Sequence, residues 1–211
     1  MPDRNAVDKI SLIGGHPALD FVNSVENRDA PDENNYLTSY DALVRWAARV
    51  GLLSAGDANR LRLSARREKA AAARVWEDLM RLRRTMHAVF LAVARHDVPP
   101  APALNDLNKQ VKRAYAHRSL HADGDHLHWV WDSVSNDLKR VEQEIVQSAA
   151  ELLTSDKIHR VRKCAHDPCD WLFLDTSRSG RRRWCRMEAC GNVAKLRRFR
   201  AKGRKPRKEA R

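Results

Sequence analysis

Cys164-Ala-His-Asp-Pro-Cys169 and Cys185-Arg-Met-Glu-Ala-Cys190 set the organisation of this chain. Together they read C-x4-C-x15-C-x4-C, and they hold all four cysteines of the 211 residues. Cysteines that staple a secreted fold are spread through it. Four thiols in one short stretch, with none in the first 163 residues, read instead as metal ligands. Zinc takes a tetrahedron of soft or borderline donors, and two tight turns that each offer a pair of thiolates let the chain close around one ion. Pro168 restrains the first turn. Between the pairs, Trp171-Leu-Phe-Leu174 predicts a short apolar strand and Ser177-Arg-Ser-Gly180 a turn, with Trp184 just before the second pair. A knuckle, a hairpin and then ligands at the start of a helix is the order of a small treble-clef-like zinc module. The expected cofactor is one structural Zn2+, whose four protein ligands leave no open position for catalysis. Two disulfides, four unrelated thiols, or His159 or His166 replacing a cysteine are the alternatives.

The charge divides at the same place. Residues 1–155 hold 21 Lys+Arg and 21 Asp+Glu, whereas residues 156–211 hold 19 and 6, so the last quarter carries the whole net charge of +13. A neutral body with a basic end is the pattern of a nucleic-acid-contacting module joined to something else; a solvated tail is the bland alternative. The predicted domains are a body over 1–155, a zinc module over 156–200 and a basic, disordered tail over 201–211, with a linker near Thr154-Ser155-Asp156. Some 40 residues bury too little surface to fold unaided. Structural zinc supplies roughly 10–16 kcal/mol in comparable peptides, so chelation is expected to unfold 157–200 and leave the body in place.

The body reads as mostly α with one β-hairpin. Leu43, Trp46, Ala47 and Val50 fall at i, i+3, i+4, i+7 and predict a helix over 39–50. Ser54 with Asp57 opens another as an N-cap. One long helix is expected over 65–96, from a stripe running from Val75 to Val93, and a short one over 103–115. Asp123-Gly124-Asp125 between alternating runs predicts a hairpin, with Leu120, Ala122, Leu127, Trp129 and Trp131 on one face and His121, His126 and His128 on the other. A last helix is expected over 133–153, with Val134, Leu138, Val141, Ile145 and Leu152 inward. No run is apolar enough to span a membrane, and the start of the chain lacks the order of a signal peptide, so a cytoplasmic protein is expected.

Two motifs carry a resemblance. Cys190-Gly191-Asn192, after Cys185 and before a basic helix, resembles the CGNR-type zinc finger. The stretch Gly15-His16-Pro17-Ala18-Leu19-Asp20-Phe21-Val22-Asn23 is similar to the opening motif of the ABATE domain that accompanies it. The resemblance implies a bacterial transcription regulator, stress-induced in some members. One departure stands out: Val193 occupies the place of the family's name-giving Arg.

The candidate nucleic-acid residues are Arg181, Arg182, Arg183, Asn192, Lys195, Arg197, Arg198 and Arg200, with Leu196 and Phe199 expected as inward anchors of the basic helix. The tail adds Lys202, Arg204, Lys205, Arg207, Lys208 and Arg211. Such cations neutralise phosphates and release counterions. The expected function is a zinc-dependent, DNA-binding transcriptional regulator with a small-molecule-sensing body. RNA is the rival partner, and oligomeric state is not readable. His16, Asp20 and Asn23, polar among apolar neighbours, are candidates for a ligand pocket or for bracing the chain. An enzyme centred there lacks a nucleophile or base, so no catalytic residue is expected. A thiol redox switch is the remaining rival.

Overall fold

The computed structural model describes residues 7–28, 30–132 and 137–203. Val134 and the tail cations Arg204, Lys205, Arg207, Lys208 and Arg211 lie outside them. The fold is mostly helical, with three two-stranded antiparallel pairs.

The helix α1 (Pro17–Val22) begins where Pro17 restrains the first turn and the His16 ring accepts from the Ala18 amide at 3.4 Å. Ser39 caps α2 (Tyr40–Arg49) and Ser54 caps α3 (Ala55–Arg67). The long helix expected from 65 starts later. Glu68 leaves helical geometry at φ −115° and ψ 54°, ending α3, and α4 runs over Lys69–Arg95. That break turns the chain so that Ala58 and Leu61 of α3 and the stripe from Ala72 to Phe90 of α4 meet the same core. The body is completed by α5 (Ala101–Tyr115) and α6 (Arg140–Thr154).

Between α1 and α2 the chain makes a small pair that the polar composition of 26–36 conceals, β1 (Val25–Glu26) against β2 (Asn34–Asn35). It is fastened by Arg83 of α4, whose buried guanidinium donates to Ser24 O, Ser24 Oγ and Asn35 Oδ1 at 3.2, 2.9 and 2.8 Å. Burial lowers its pKa to about 10.

The expected hairpin forms as β3 (Arg118–Asp123) and β4 (His126–Trp131), but it does not lay an apolar face on the core. Trp131 is buried, while Leu120, Trp129 and Leu127 are exposed, the last at 70%. The Arg118 guanidinium lies over the Trp129 and Trp131 rings at 5.1 and 4.6 Å. The three hairpin histidines are exposed and join no group able to hold a metal among the described residues.

One core serves nearly everything. Leu19 and Phe21 of α1, Trp46 of α2, Met86 and Phe90 of α4 and Ile145 of α6 are fully buried together, with the Phe21 and Trp46 rings 5.6 Å apart. A 3-10 turn over Asp156–Arg160 leads from α6 into β5 (Val161–Lys163), which pairs with β6 (Leu172–Leu174). Val161, Leu172 and Leu174 belong to the main core cluster. The expected linker is therefore a short turn, and the cysteine-bearing segment shares its hydrophobic interior with the body.

Candidate metal centre and its junction with the body

The hairpin β5–β6 carries the first cysteine pair in its turn. Cys164 follows β5, Cys169 precedes β6, and the Asp167-Pro168 peptide between them is cis. The second pair lies where one π-helical turn, Met187–Gly191, opens into α7 (Asn192–Gly203), so residues 201–203 continue the helix. A Cβ on Gly191 would meet the Met187 sulfur at 2.3 Å, so the flexible, exposed Met187 side chain would have to move aside. All four sulfurs lie within 4.8 Å of one another, with Cys169–Cys185 at 3.8 Å and Cys185–Cys190 at 3.6 Å. A tetrahedron with Zn–S bonds of about 2.3 Å has sulfurs about 3.8 Å apart. A disulfide requires about 2.05 Å, and all four thiols are free. The geometry and soft donors fit one zinc ion. Proton sharing with Cys164 pushes the Cys185 thiol up to about 12, and burial raises Cys190. Four sulfurs this close do not ionise together unless a cation compensates them.

Around the sulfurs, two residues hold the long loop between β6 and Cys185. Buried Asp175 accepts from the Ser177 amide, the Ser177 hydroxyl and the Arg182 amide at 2.9, 2.6 and 2.9 Å. Burial alone would raise its pKa, but these bonds outweigh it and hold the carboxyl below its ordinary value. The signal was present in Asp175-Thr-Ser177, a side chain placed to bond the backbone two residues on. Arg182 stacks on Phe173 at 4.3 Å and donates to the Trp184 and Cys185 carbonyls. It is thus a part of the fold, set apart from its exposed neighbours Arg181 and Arg183. Arg197 donates to Asp167 O at 2.9 Å, tying α7 to the first knuckle.

His16, Asp20 and Asn23 sit at the junction. Asn23 is buried, and its carboxamide acts as a strand edge: Nδ2 donates to Leu172 O at 2.7 Å, and Oδ1 accepts from the Leu172 amide at 2.9 Å. Two residues along β6, the Leu174 amide donates to Gly14 O at 2.8 Å. Gly14 in turn donates to Asp20 Oδ1 at 2.8 Å, and a Cβ on Gly14 would collide with Asp20 and Leu19. Trp171 Nε1 donates to Val25 O, and Arg28 pairs with Asp170 at 2.9 Å. Asp20 and Asn23 thus brace the chain, and His16 caps α1.

Asp20 makes a testable contribution. Burial pushes its carboxyl up to about 6, against the Gly14 hydrogen bond and the Arg49 charge. The unfolded value is about 4, so the folded state binds this proton more tightly. The resulting stability is fully present below pH 4 and is lost as pH rises to 6; above that the ionised group costs on the order of 2–3 kcal/mol. Asp20→Asn keeps the acceptor for Gly14, so it is expected to raise the melting temperature at pH 7 and to flatten its rise between pH 7 and pH 4. Melting curves with an unchanged pH profile would contradict this.

Two family models match the chain. One is ABATE, described as "putative stress-induced transcription regulator", over residues 15–156, and the other is the CGNR zinc finger, over residues 160–203. The chain belongs to the ABATE family. Its cysteine module is a CGNR finger, and its neutral body is the ABATE domain whose opening motif holds β6. Both matched families are of regulator and zinc-finger type. No curated protein matches the chain. No described helix is long and apolar enough to cross a membrane.

Proposed function

We propose that this ABATE protein is a zinc-dependent regulator that binds duplex DNA through its CGNR finger. The observation that carries the reading is the state of the finger's cations. Arg181, Lys195, Arg198 and Arg200 are exposed, and their side chains make no hydrogen bond or ion pair among the described residues. Arg181, Arg183 and Arg186, the last bonded to Ser11 Oγ, also line a groove of about 450 Å³ beside the second knuckle, with Glu188 as its one acidic residue. The ABATE domain also exposes arginines, such as Arg66 and Arg74, but its 21 Lys+Arg are matched by 21 Asp+Glu over residues 1–155, whereas residues 156–211 hold 19 against 6. Uncompensated cations on a rigid scaffold suit a polyanion.

A small-molecule input is part of the proposal. Its support is a cavity of about 260 Å³ between the two parts, lined by Ser11, Glu26 and Trp171 and by three of the four cysteines. A molecule held there touches the ABATE domain and the finger together.

The test uses the full chain, because the finger shares the body's core. Changing Lys195, Arg198 and Arg200 to Ala together is expected to make the slope of log affinity against log salt shallower by up to about 2.7, at about 0.9 per phosphate contact. Val193 is 41% exposed, so an Arg there faces outward. Val193→Arg is expected to tighten binding and steepen the slope by about 0.9. Unchanged slopes in both variants would remove these side chains from the interface.

A further inference from the structure

The side of α7 that faces away from the knuckles is not a solvated polar face. Ala194 is half-buried and Arg197 is bonded to Asp167 O, which fixes the inward side. Opposite to it, at i, i+3, i+4, i+7, stand Asn192, Lys195, Leu196 and Phe199; the Asn192 Nδ2 donates to Glu188 O at 3.3 Å, which leaves its second N–H and its Oδ1 for a base edge. Leu196 is 49% exposed and Phe199 76%, the reverse of the inward anchoring that their spacing predicts. Arg198 and Arg200 flank the pair on either side of the helix.

Three occupants present themselves for this face. The end of the chain, Arg-Lys-Pro-Arg-Lys-Glu-Ala-Arg over 204–211, offers only Pro206 and Ala210 as apolar side chains and carries five more cations. It is a poor cover for a cationic helix. A second copy would bring Lys195, Arg198 and Arg200 of both chains into one interface, where like charges repel. Duplex DNA offers what both lack, an anionic rim with an apolar element on its floor. Each thymine places a 5-methyl group in the major groove, beside the acceptor and donor pair of adenine that an Asn carboxamide matches. A helix of 12 residues is about 18 Å long and about 10–12 Å across, which suits a groove about 12 Å wide.

We propose that the outward face of α7 is a base-reading face, in which Leu196 and Phe199 seat thymine methyl groups in the major groove and Asn192 contacts a neighbouring adenine. The proposal rests on the DNA-binding reading above and adds a preference for thymine-bearing sites. It also separates DNA from RNA. Uracil lacks the methyl group, and the major groove of A-form RNA is too narrow for side chains to read.

The experiment compares two duplexes of one A·T-rich sequence, one containing thymine and the other deoxyuridine at every such position. Phosphate number and charge are the same in both. The zinc-loaded full chain is expected to bind the deoxyuridine duplex more weakly, by about fourfold for each methyl group buried. Leu196→Ala and Phe199→Ala are expected to erase the difference while leaving the salt slope and the melting temperature unchanged, since both side chains are exposed. Equal binding of the two duplexes by the unaltered chain overturns the proposal and leaves the DNA reading standing. Absence of duplex binding at low salt overturns both. Two other results also overturn it: Phe199-dependent binding to phosphatidylglycerol vesicles while the duplexes remain indistinguishable, and a dimer in sedimentation that Phe199→Ala converts to a monomer.

Discussion

Stripping zinc from the protein is expected to unfold the CGNR finger and to destabilise the ABATE domain in the same transition. The finger contributes Val161, Leu172 and Leu174 to the main core, and the opening motif is bonded to the backbone of β6. Binding to a structural tetrathiolate site contributes roughly 10–16 kcal/mol, as much as the whole stability of an ordinary domain, about 5–15 kcal/mol. Losing it removes the order of β6, and Asn23, Gly14 and Trp171 lose their partners. The expectation from sequence alone, a finger that melts while the body stands, is revised by this shared interior. Titration with a chelator, followed by helical circular dichroism and by metal release, should show the two signals falling together. Cys164→Ser, which removes a buried ligand, should reproduce the effect without a chelator. Full loss of zinc with an undiminished helical signal would contradict the prediction.

Asn23→Ala is expected to have the second largest effect, for a small change far from the metal in sequence. The side chain satisfies the amide and the carbonyl of Leu172, a residue wholly removed from water. Truncation leaves a donor and an acceptor buried without partners, at about 1–3 kcal/mol each, so a loss of about 2–6 kcal/mol is expected. For a chain of this size each kcal/mol lowers the melting temperature by roughly 2–4 °C. Zinc should also leave the variant faster on chelation, because β6 leads directly from Cys169. Asn23→Asp separates the two bonds, since a carboxylate accepts from the amide but faces the carbonyl with like polarity. It should be no better than Ala at neutral pH. A melting temperature within a degree of the parent's for Asn23→Ala would show that the clamp adds nothing.

The zinc centre was legible because its information is local. Spacing, residue type and the Gly191 next to Cys190 lie within one short stretch, and the geometry of four thiolates does the rest. The helices of the body were legible for the same reason: capping residues such as Ser39 and Ser54 and stripes such as Val75–Leu79–Met86 are read along the chain. The junction was not. The partner of Asn23 lies 149 residues away, so its sequence neighbourhood shows only a polar residue among apolar ones, the mark of a ligand site as much as of a brace. Arg182 reads as one of three equivalent arginines until its ring contact with Phe173 and its bonds to the carbonyls near Cys185 are seen. Leu196 and Phe199 mislead in the opposite direction. Spacing identifies an apolar side of the helix but not what that side meets, and the knuckles are filled by Trp171, Phe173 and the cysteines instead.

If zinc organises a cationic surface that binds duplex DNA, as proposed above, affinity depends on the metal. The most direct measurement is the affinity of the full chain for one duplex over a series of salt concentrations, with zinc bound and after chelation. The zinc form is expected to bind tightly at low salt, with a linear fall of log affinity with log salt at about 0.9 per phosphate contacted, and the response should become shallower and weaker once the metal is removed and the cations lose their scaffold. Equal affinity and slope with and without zinc, or no binding at low salt where such contacts are strongest, would contradict it.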